Sequence, residues 1–177
     1  MSGAGDLPLP ELDPTIPAWP GQDVALPSGQ AVFVRSTPRR GDGPDLGRLV
    51  HVHGLGGSST NWTDLAALLA PYARSDAIDL PGFGRAAEPL RGNWSQAHRV
   101  RVLIEYLEQT GARDEPVHLT ANSMGGAAGI AVAAARPDLV RTLTLISPAV
   151  PDLRLAAHLR RSPMPVLLIP GLGALAE

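Results

Sequence analysis

Residues 117–126 are the most informative part of the sequence: Val117-His118-Leu119-Thr120-Ala121-Asn122-Ser123-Met124-Gly125-Gly126. An apolar run typical of a β-strand ends here in a small residue, a hydroxyl and two glycines, and a helical pattern follows at once. Small-x-Ser-x-Gly between a strand and a helix is the spacing of a nucleophile elbow, a sharp and strained turn that presents a serine hydroxyl. The pattern therefore favours such a turn at Ser123 over an ordinary helix start.

The residue types around Ser123 fit the steric demands of that turn. The positions two before and two after the serine come close together, so both must be small, as Ala121 and Gly125 are. We expect the Ser123 hydroxyl to project from the sheet and the backbone N–H of Met124 to face the same point. This N–H would then meet the negative charge that develops on a carbonyl oxygen attacked by Ser123.

A glycine-rich loop follows the predicted strand at residues 49–52 and reads His53-Gly54-Leu55-Gly56-Gly57-Ser58-Ser59. Gly54 and Gly56 let the backbone approach a ligand without interference from a Cβ atom. We expect the N–H of Leu55 to be a second oxyanion donor, with the N–H of Gly56 as the alternative. A dinucleotide fingerprint is disfavoured because its third glycine position is Ser59, and a Walker loop is disfavoured because the chain has no lysine.

A third motif lies between these two and reads Asp79-Leu80-Pro81-Gly82-Phe83-Gly84. The order His-Gly-x-Gly-Gly, Asp-x-Pro-Gly-x-Gly and small-x-Ser-x-Gly-Gly, each after a predicted strand, resembles the α/β-hydrolase superfamily over residues 22–150. The resemblance implies a serine esterase, lipase or carbon–carbon hydrolase with Ser123 as the nucleophile. An asparagine directly before the serine, here Asn122, resembles the pattern of carbon–carbon hydrolases and some lipases. A cofactor-free haloperoxidase-like enzyme would use the same catalytic residues.

The remaining pattern predicts strands that alternate with helices. Residues 24–26 and 31–34 form a predicted hairpin, further strands are predicted at 49–52, 75–80, 117–120 and 143–146, and helices at 62–72, 94–110 and 125–135. Such alternation indicates an α/β fold in which the last four strands form one parallel sheet with helices on both faces. We expect a proline-rich arm at 1–20, a core at 21–150, and a lid or a helix plus the next core strand at 151–177.

Composition limits the classes of partner. The chain has 177 residues, a formal net charge of −2 and no cysteine, so nothing favours nucleic-acid binding, disulfides or thiolate metal sites. No apolar run reaches the roughly 18 residues that span a bilayer, and the first residues lack the pattern of a secretory signal. We therefore expect a cytoplasmic protein that acts on a small molecule, without a membrane span, metal or cofactor, and the oligomeric state is left open.

A serine nucleophile needs a base and an orienting carboxylate. In the family that the chain resembles, the order is serine, then acid, then histidine. After Ser123 the sequence contains one histidine, His158, and Asp152 is the acid best placed for this role, although the family usually carries its acid one strand later. The resemblance therefore implies a fold that is truncated before its last strands.

Two functions of different classes follow from these observations. The first is a serine hydrolase that acts on an ester or related acyl substrate, with an incomplete triad within these residues. The second is a non-catalytic binding or scaffold protein, or an inactive fragment, on the same fold. His51, His98 and His118 are predicted to be structural, and His53 is predicted to order the glycine-rich loop.

Overall fold

A computed structural model describes residues 21–149 of the chain. The strands are β1 (Gly21–Ala25), β2 (Ala31–Thr37), β3 (Arg48–Val52), β4 (Arg74–Asp79), β5 (Val117–Asn122) and β6 (Val140–Ile146). The helices are α1 (Thr63–Leu69), α2 (Gln96–Gln109) and α3 (Ser123–Ala135), with 3₁₀ turns at Ser59–Trp62, Leu90–Gly92 and Pro137–Leu139. The predicted arm at 1–20 and the predicted lid or strand at 151–177, with Asp152 and His158, lie outside the described residues.

All six strands form one sheet in the order β1-β2-β4-β3-β5-β6. β4, β3, β5 and β6 run parallel to one another, whereas β2 pairs antiparallel with both β1 and β4. The predicted α/β fold, the parallel arrangement of the last four strands and the initial hairpin are therefore confirmed. Because the four strands are parallel, their carboxyl ends meet at one edge, where the loops after β3, β4 and β5 come together.

The register of the sheet assigns its helices to two faces. His51 of β3 pairs with Ala77 and Thr120, and its ring stacks on Trp62 at the start of α1. The alternate residues Val52, Ile78 and Ala121 point to the other face, where α3 packs. A Cβ added at Gly129 of α3 would lie 3.1 Å from the Cβ of Ala121, so small helix residues bring this helix close to the sheet.

The main core lies between the sheet and the two longer helices. It consists of buried aliphatic side chains from the sheet together with one face of α2, and its fully buried members include Val32, Val50, Val52, Ile78, Leu80, Leu103, Leu107, Val117, Leu119 and Val132. The strand residues of this set lie in apolar runs. Those runs are the basis on which strands covered on both faces are predicted. The core thus fixes the positions of the strand ends that carry the glycine-rich motifs.

The helix bounds differ from the predicted ones for local reasons. α1 ends at Leu69, and Ala70 after it still has helical backbone with φ of −53° and ψ of −34°, but Pro71 has no N–H with which to continue the helix. α2 begins at Gln96 because the Ser95 hydroxyl accepts the His98 N–H and caps the helix there. α3 begins two residues earlier than predicted, at Ser123, because the strand passes directly into the helix.

Candidate active site

Ser123 lies at the junction of β5 and α3, in a left-handed backbone conformation with φ of 48°. Asn122 immediately before it is extended, with φ of −109° and ψ of 139°, so the chain direction changes within one residue. A non-glycine residue in this region is strained, and such strain is concentrated at functional sites. The structure therefore places Ser123 in the sharp turn that the sequence predicts.

Two glycines allow the elbow and the glycine-rich loop to touch. A Cβ added at Gly125 would lie 2.8 Å from the Val52 carbonyl oxygen and would also clash with the carbonyl oxygen of His53. A Cβ added at Gly54 would lie 3.1 Å from the Ser123 Cβ and 2.7 Å from Asn122 Oδ1. Because these contacts involve backbone and short side chains that cannot move aside, both positions require glycine.

The loop after β3 leaves backbone donors free beside the elbow. The Gly57 N–H donates to the Gly54 carbonyl at 3.2 Å and closes a tight turn in which Gly56 has φ of 69°. The two N–H groups inside this turn, those of Leu55 and Gly56, donate no hydrogen bond within residues 21–149. The N–H of Met124 belongs to the first turn of α3, whose amides have no intrahelical acceptor.

His53 fixes the orientation of the Gly54 peptide. The Leu80 N–H donates to Nε2 at 3.0 Å, so the proton resides on Nδ1, which donates to the Gly54 carbonyl at 2.6 Å. Burial lowers the pKa of His53, and the bond to Gly54 opposes this shift. Both ring nitrogens are therefore committed to backbone groups of a neutral imidazole, which orders the loop and is not free to act as a base.

Asp79 holds two loops of the site together, a role that the sequence pattern did not predict. Its buried carboxylate accepts the Ser59 N–H through Oδ1 and the Arg85 N–H at 2.8 Å through Oδ2. It thereby joins the end of the glycine-rich loop to the loop after β4. Its place in the Asp-x-Pro-Gly motif was the available signal, but its two donors are 20 and 6 residues away in sequence.

The segment after β6 holds the elbow from the other side. Asn122 Nδ2 donates to the Ile146 carbonyl at 3.0 Å, and the Ala149 N–H donates to the Ser123 carbonyl at 2.8 Å. Ser147 between them has a left-handed φ of 44°. These contacts tie the carboxyl ends of β5 and β6 together around the strained serine, and no spacing rule in the sequence predicts them.

A cavity of about 390 Å³ opens beside the glycine-rich loop and reaches Asn122, the residue before Ser123. The backbone of the glycine-rich loop and Asn122 form its polar wall, and Leu55, Trp62 and Ile146 contribute apolar surface. Small-molecule sites combine an apolar lining with a few fixed polar groups in this way. The cavity is large enough for a small acyl group beside the elbow.

None of the four described histidines hydrogen-bonds to Ser123. His51 is fully buried against Trp62, and burial lowers its pKa to about 4. His118 bonds to the Thr142 hydroxyl and to the Leu46 carbonyl, and His98 contacts Gln30. Within residues 21–149, no three His, Cys, Asp or Glu side chains group as metal ligands, and no helix there is long and apolar enough to cross a membrane.

The arrangement of a strained serine, a glycine-rich loop and a mostly parallel sheet matches a known family. A model of the alpha/beta hydrolase family matches residues 49–176, which is more than half of the chain. The chain belongs to the alpha/beta hydrolase family. The matched region contains all three glycine-containing motifs of the chain, including Ser123.

The curated relatives of the chain have names that denote different activities. The chain is 40% identical over 103 residues to the dihydrolipoyllysine-residue acetyltransferase component of the acetoin cleaving system of Pseudomonas putida, a match covering 57% of this chain and 26% of the relative. It is 35% identical to 2-hydroxy-6-oxo-6-(2'-aminophenyl)hexa-2,4-dienoic acid hydrolase of Metapseudomonas resinovorans, covering 57% and 34%. It is 38% identical to Lipase 1 of Psychrobacter immobilis, covering 57% and 31%.

Solved structures share the fold of this chain. A membrane phospholipase A, described as a bacterial virulence factor, matches with a TM-score of 0.64 and 27% identity over 73% of this chain and 39% of that chain. The chain therefore spans between 26% and 39% of the length of these four proteins. The family is common to all of them, whereas the reactions that their names describe differ.

Proposed function

We propose that the chain carries the nucleophile and oxyanion hole of a serine hydrolase that acts on an ester or related acyl substrate. The observation that supports this most strongly is the left-handed Ser123 at the β5–α3 junction, in contact with a loop that has free N–H groups. Three features occur together here: the strained backbone of Ser123, the close contacts at Gly54 and Gly125, and the N–H groups of the loop that donate no hydrogen bond. Presentation of the Ser123 hydroxyl accounts for all three.

In the proposed reaction, Ser123 Oγ attacks the substrate carbonyl carbon and forms a tetrahedral oxyanion. The N–H groups of Met124 and Leu55 donate to that oxygen, with Gly56 as the alternative to Leu55. The alcohol then leaves, and water releases the acyl group from Ser123. One such donor is commonly worth about 10²–10³ in rate, because the dipole is already oriented before charge develops.

The proton of the Ser123 hydroxyl must pass to a base that lies outside residues 21–149. Asp152 as the acid stays a prediction from the sequence, which identifies no histidine of this chain as the base. General-base assistance is commonly worth about 10²–10⁴ in rate, so the serine is a weak nucleophile without it. We therefore expect the purified 177-residue chain to show no appreciable turnover of a short-chain aryl ester, compared with Ser123→Ala.

The relatives support an acyl substrate in general terms. Lipase 1 and the phospholipase A have names that denote ester hydrolysis, and the cavity volume of about 390 Å³ suits a small acyl group. The dienoic acid hydrolase of Metapseudomonas resinovorans supports carbon–carbon bond hydrolysis as the second candidate, because Asn122 precedes the serine as that class would have it. Both candidates use the same nucleophile.

Acylation of the chain by an activated aryl ester, with imidazole added as an external base, tests the proposal. We expect one acetyl group per chain by intact mass, at a rate that rises with imidazole, and peptide mapping should place it on Ser123. Ser123→Ala should abolish the modification, whereas Ser147→Ala, at a second serine with left-handed backbone, should retain it. Equal modification of wild type and Ser123→Ala would instead support a non-catalytic binding protein.

A further inference from the structure

A second cavity, also about 390 Å³, shares no lining residue with the one beside the glycine-rich loop. It lies between the turn that joins β1 to β2, the 3₁₀ turn Leu90–Gly92 and the first half of α2. None of the groups assigned to the proposed reaction reaches it. Its lining residues therefore need a separate explanation.

The charges around this cavity are unbalanced in favour of cations. Arg91 and Arg101 both line it, and neither guanidinium has a hydrogen bond or an ion pair within residues 21–149. Glu105 is the one acid in the lining, and its Oε2 already accepts the Ser28 N–H at 3.2 Å. Two guanidinium groups with unused donors favour a carboxylate or phosphate oxygen as the partner.

The wall of the cavity is held in place by a buried amide. Gln30 is fully buried, and its Oε1 accepts the Leu90 N–H at 2.9 Å and contacts His98 Nε2 at 3.3 Å. Its Nε2 donates to the carbonyl oxygens of Ala87 and Glu88. The loop beside the cavity is therefore fixed to β2 before any ligand arrives, which reduces the ordering cost of binding.

The same hydrogen bond orients the ring of His98. Because Gln30 Oε1 can only accept, His98 Nε2 is the donor. Burial lowers the pKa of His98, the charges of Arg101 and Arg99 lower it further, and the charge of Glu105 opposes this shift. The titration of His98 therefore responds to the charge on Arg101.

The remaining lining is apolar. Leu90 is 40% exposed, and Val102 is buried in the floor. An inorganic anion would leave this surface in contact with water, whereas an anion with a hydrocarbon body would cover it. The aliphatic stems of the two arginines extend the same apolar surface towards their charged ends.

From these contacts we propose that the second cavity binds a small organic carboxylate with an apolar body. The carboxylate pairs with Arg91 and Arg101, and the hydrocarbon part packs on Leu90 and Val102. This site is independent of the reaction proposed at Ser123, so it is expected to work in Ser123→Ala. A bound carboxylate offsets the charge of Arg101 and thereby raises the pKa of His98.

The test is an NMR titration of the 177-residue chain with sodium hexanoate, followed through the His98 ring resonances. We expect saturable shifts and a higher pKa of His98 with hexanoate, and neither effect with hexanol or inorganic phosphate at equal concentration. Arg101→Met should weaken binding at least about ten-fold, the loss of one good charge-assisted contact. Arg141→Met, at an exposed position of β6, is the matched control and should bind as the wild type does.

Arg91→Gly provides a second variant, because Arg91 has a left-handed φ of 57° that glycine adopts freely. This variant should bind hexanoate more weakly than the wild type and should keep the same thermal stability. The proposal is overturned if hexanoate leaves the His98 resonances unmoved, if hexanol gives the same shifts, or if both arginine variants bind as the wild type does. Shifts confined to residues 54–57 and 122–124 would place the carboxylate at the other cavity and overturn it too.

Discussion

Ser123 has an unfavourable backbone conformation that its neighbours stabilise. Left-handed backbone costs an ordinary L-residue about 1–2 kcal/mol, and here the hydrogen bond from the Ala149 N–H and the packing of Gly54 against the Ser123 Cβ hold it in place. The conformation therefore reflects a demand on where the hydroxyl points, because a helix could begin at lower cost.

A comparison of Ser123→Gly with Ser123→Ala measures this strain. We expect the glycine variant to be more stable by about 1 kcal/mol, because glycine adopts positive φ at no steric cost. At an ordinary helical position glycine is less stable than alanine. Ala127→Gly in α3 is therefore the control, and we expect it to lower the free energy of unfolding by about 1 kcal/mol. Urea unfolding gives both differences. A Ser123→Gly variant that is less stable than Ser123→Ala would show that the turn is unstrained.

The sequence predicts the residues of the elbow better than it predicts their supports. Spacing alone identifies Ser123, Ala121 and Gly125, because the steric demand acts between residues two apart. Asp79 and the Asn122–Ile146 hydrogen bond were not predicted, since they join atoms that are distant in sequence. A short-range pattern contains no information on which loop will reach such a group.

At the scale of the elements, His51 joins β3 to the start of α1 without a hydrogen bond. Both of its ring nitrogens are buried and have no partner among the described residues, and the ring stacks on Trp62 at a centroid distance of 5.1 Å. The contact is favourable only while the imidazole is neutral, because protonation would place an unpaired charge under the helix.

This contact predicts a pH dependence of stability. Burial lowers the pKa of His51 from 6.5 in the unfolded chain to about 4 in the folded chain, so between these values the unfolded state binds more protons. The contribution of the neutral His51 ring to the free energy of unfolding is present above pH 6.5 and is lost as pH falls towards 4. Its upper limit is about 3 kcal/mol. His51→Phe keeps the ring contact and should flatten the slope of unfolding free energy in that window. An unchanged slope would contradict the assignment.

Arg48 connects β3, β4 and α2 at the opposite edge of the sheet. Its guanidinium is buried and donates to Asp76 at 2.8 Å, to the Thr110 carbonyl at 2.8 Å and to the Tyr106 hydroxyl at 3.0 Å. Arg48→Met should cost about 3–5 kcal/mol in urea unfolding, because the Asp76 charge is left partly buried without its partner.

The exposed pair of Arg74 with Glu115 provides the matched control. Arg74→Met should cost under about 1 kcal/mol, since an ion pair in water contributes little. Equal losses of unfolding free energy in Arg48→Met and Arg74→Met would mean that burial does not make the Arg48 ion pair more important than the Arg74 pair.

The elements themselves were largely predictable. Apolar runs of period two and the helical repeat in 94–110 depend on burial, which any sequence with a core must show. Their ends were less predictable, because Ser95, Pro71 and Ser123 act through local hydrogen bonds and sterics that a periodic pattern does not contain. β6 begins at Val140, three residues before the predicted start, because its exposed first residues lack the apolar signal.

For the whole molecule, β6 is one of the two edge strands of the described sheet, and β1 is the other. Leu145 and Ile146 are 37% and 42% exposed, and the strand has no described partner on its outer edge. An open apolar edge is a template for pairing with another chain. We expect the 177-residue chain to self-associate in size-exclusion chromatography with light scattering, and Leu145→Lys to reduce this. A dilution-independent monomer would show that the edge is covered.

A crystal structure of the chain phosphonylated at Ser123 would test whether Ser123 and the two backbone donors form one catalytic centre. The phosphonyl oxygen occupies the position that an oxyanion would take. We expect this oxygen to lie about 2.7–3.1 Å from the N–H nitrogens of Met124 and of Leu55 or Gly56. An oxygen that faces solvent, or a label that lies on a serine other than Ser123, would contradict it.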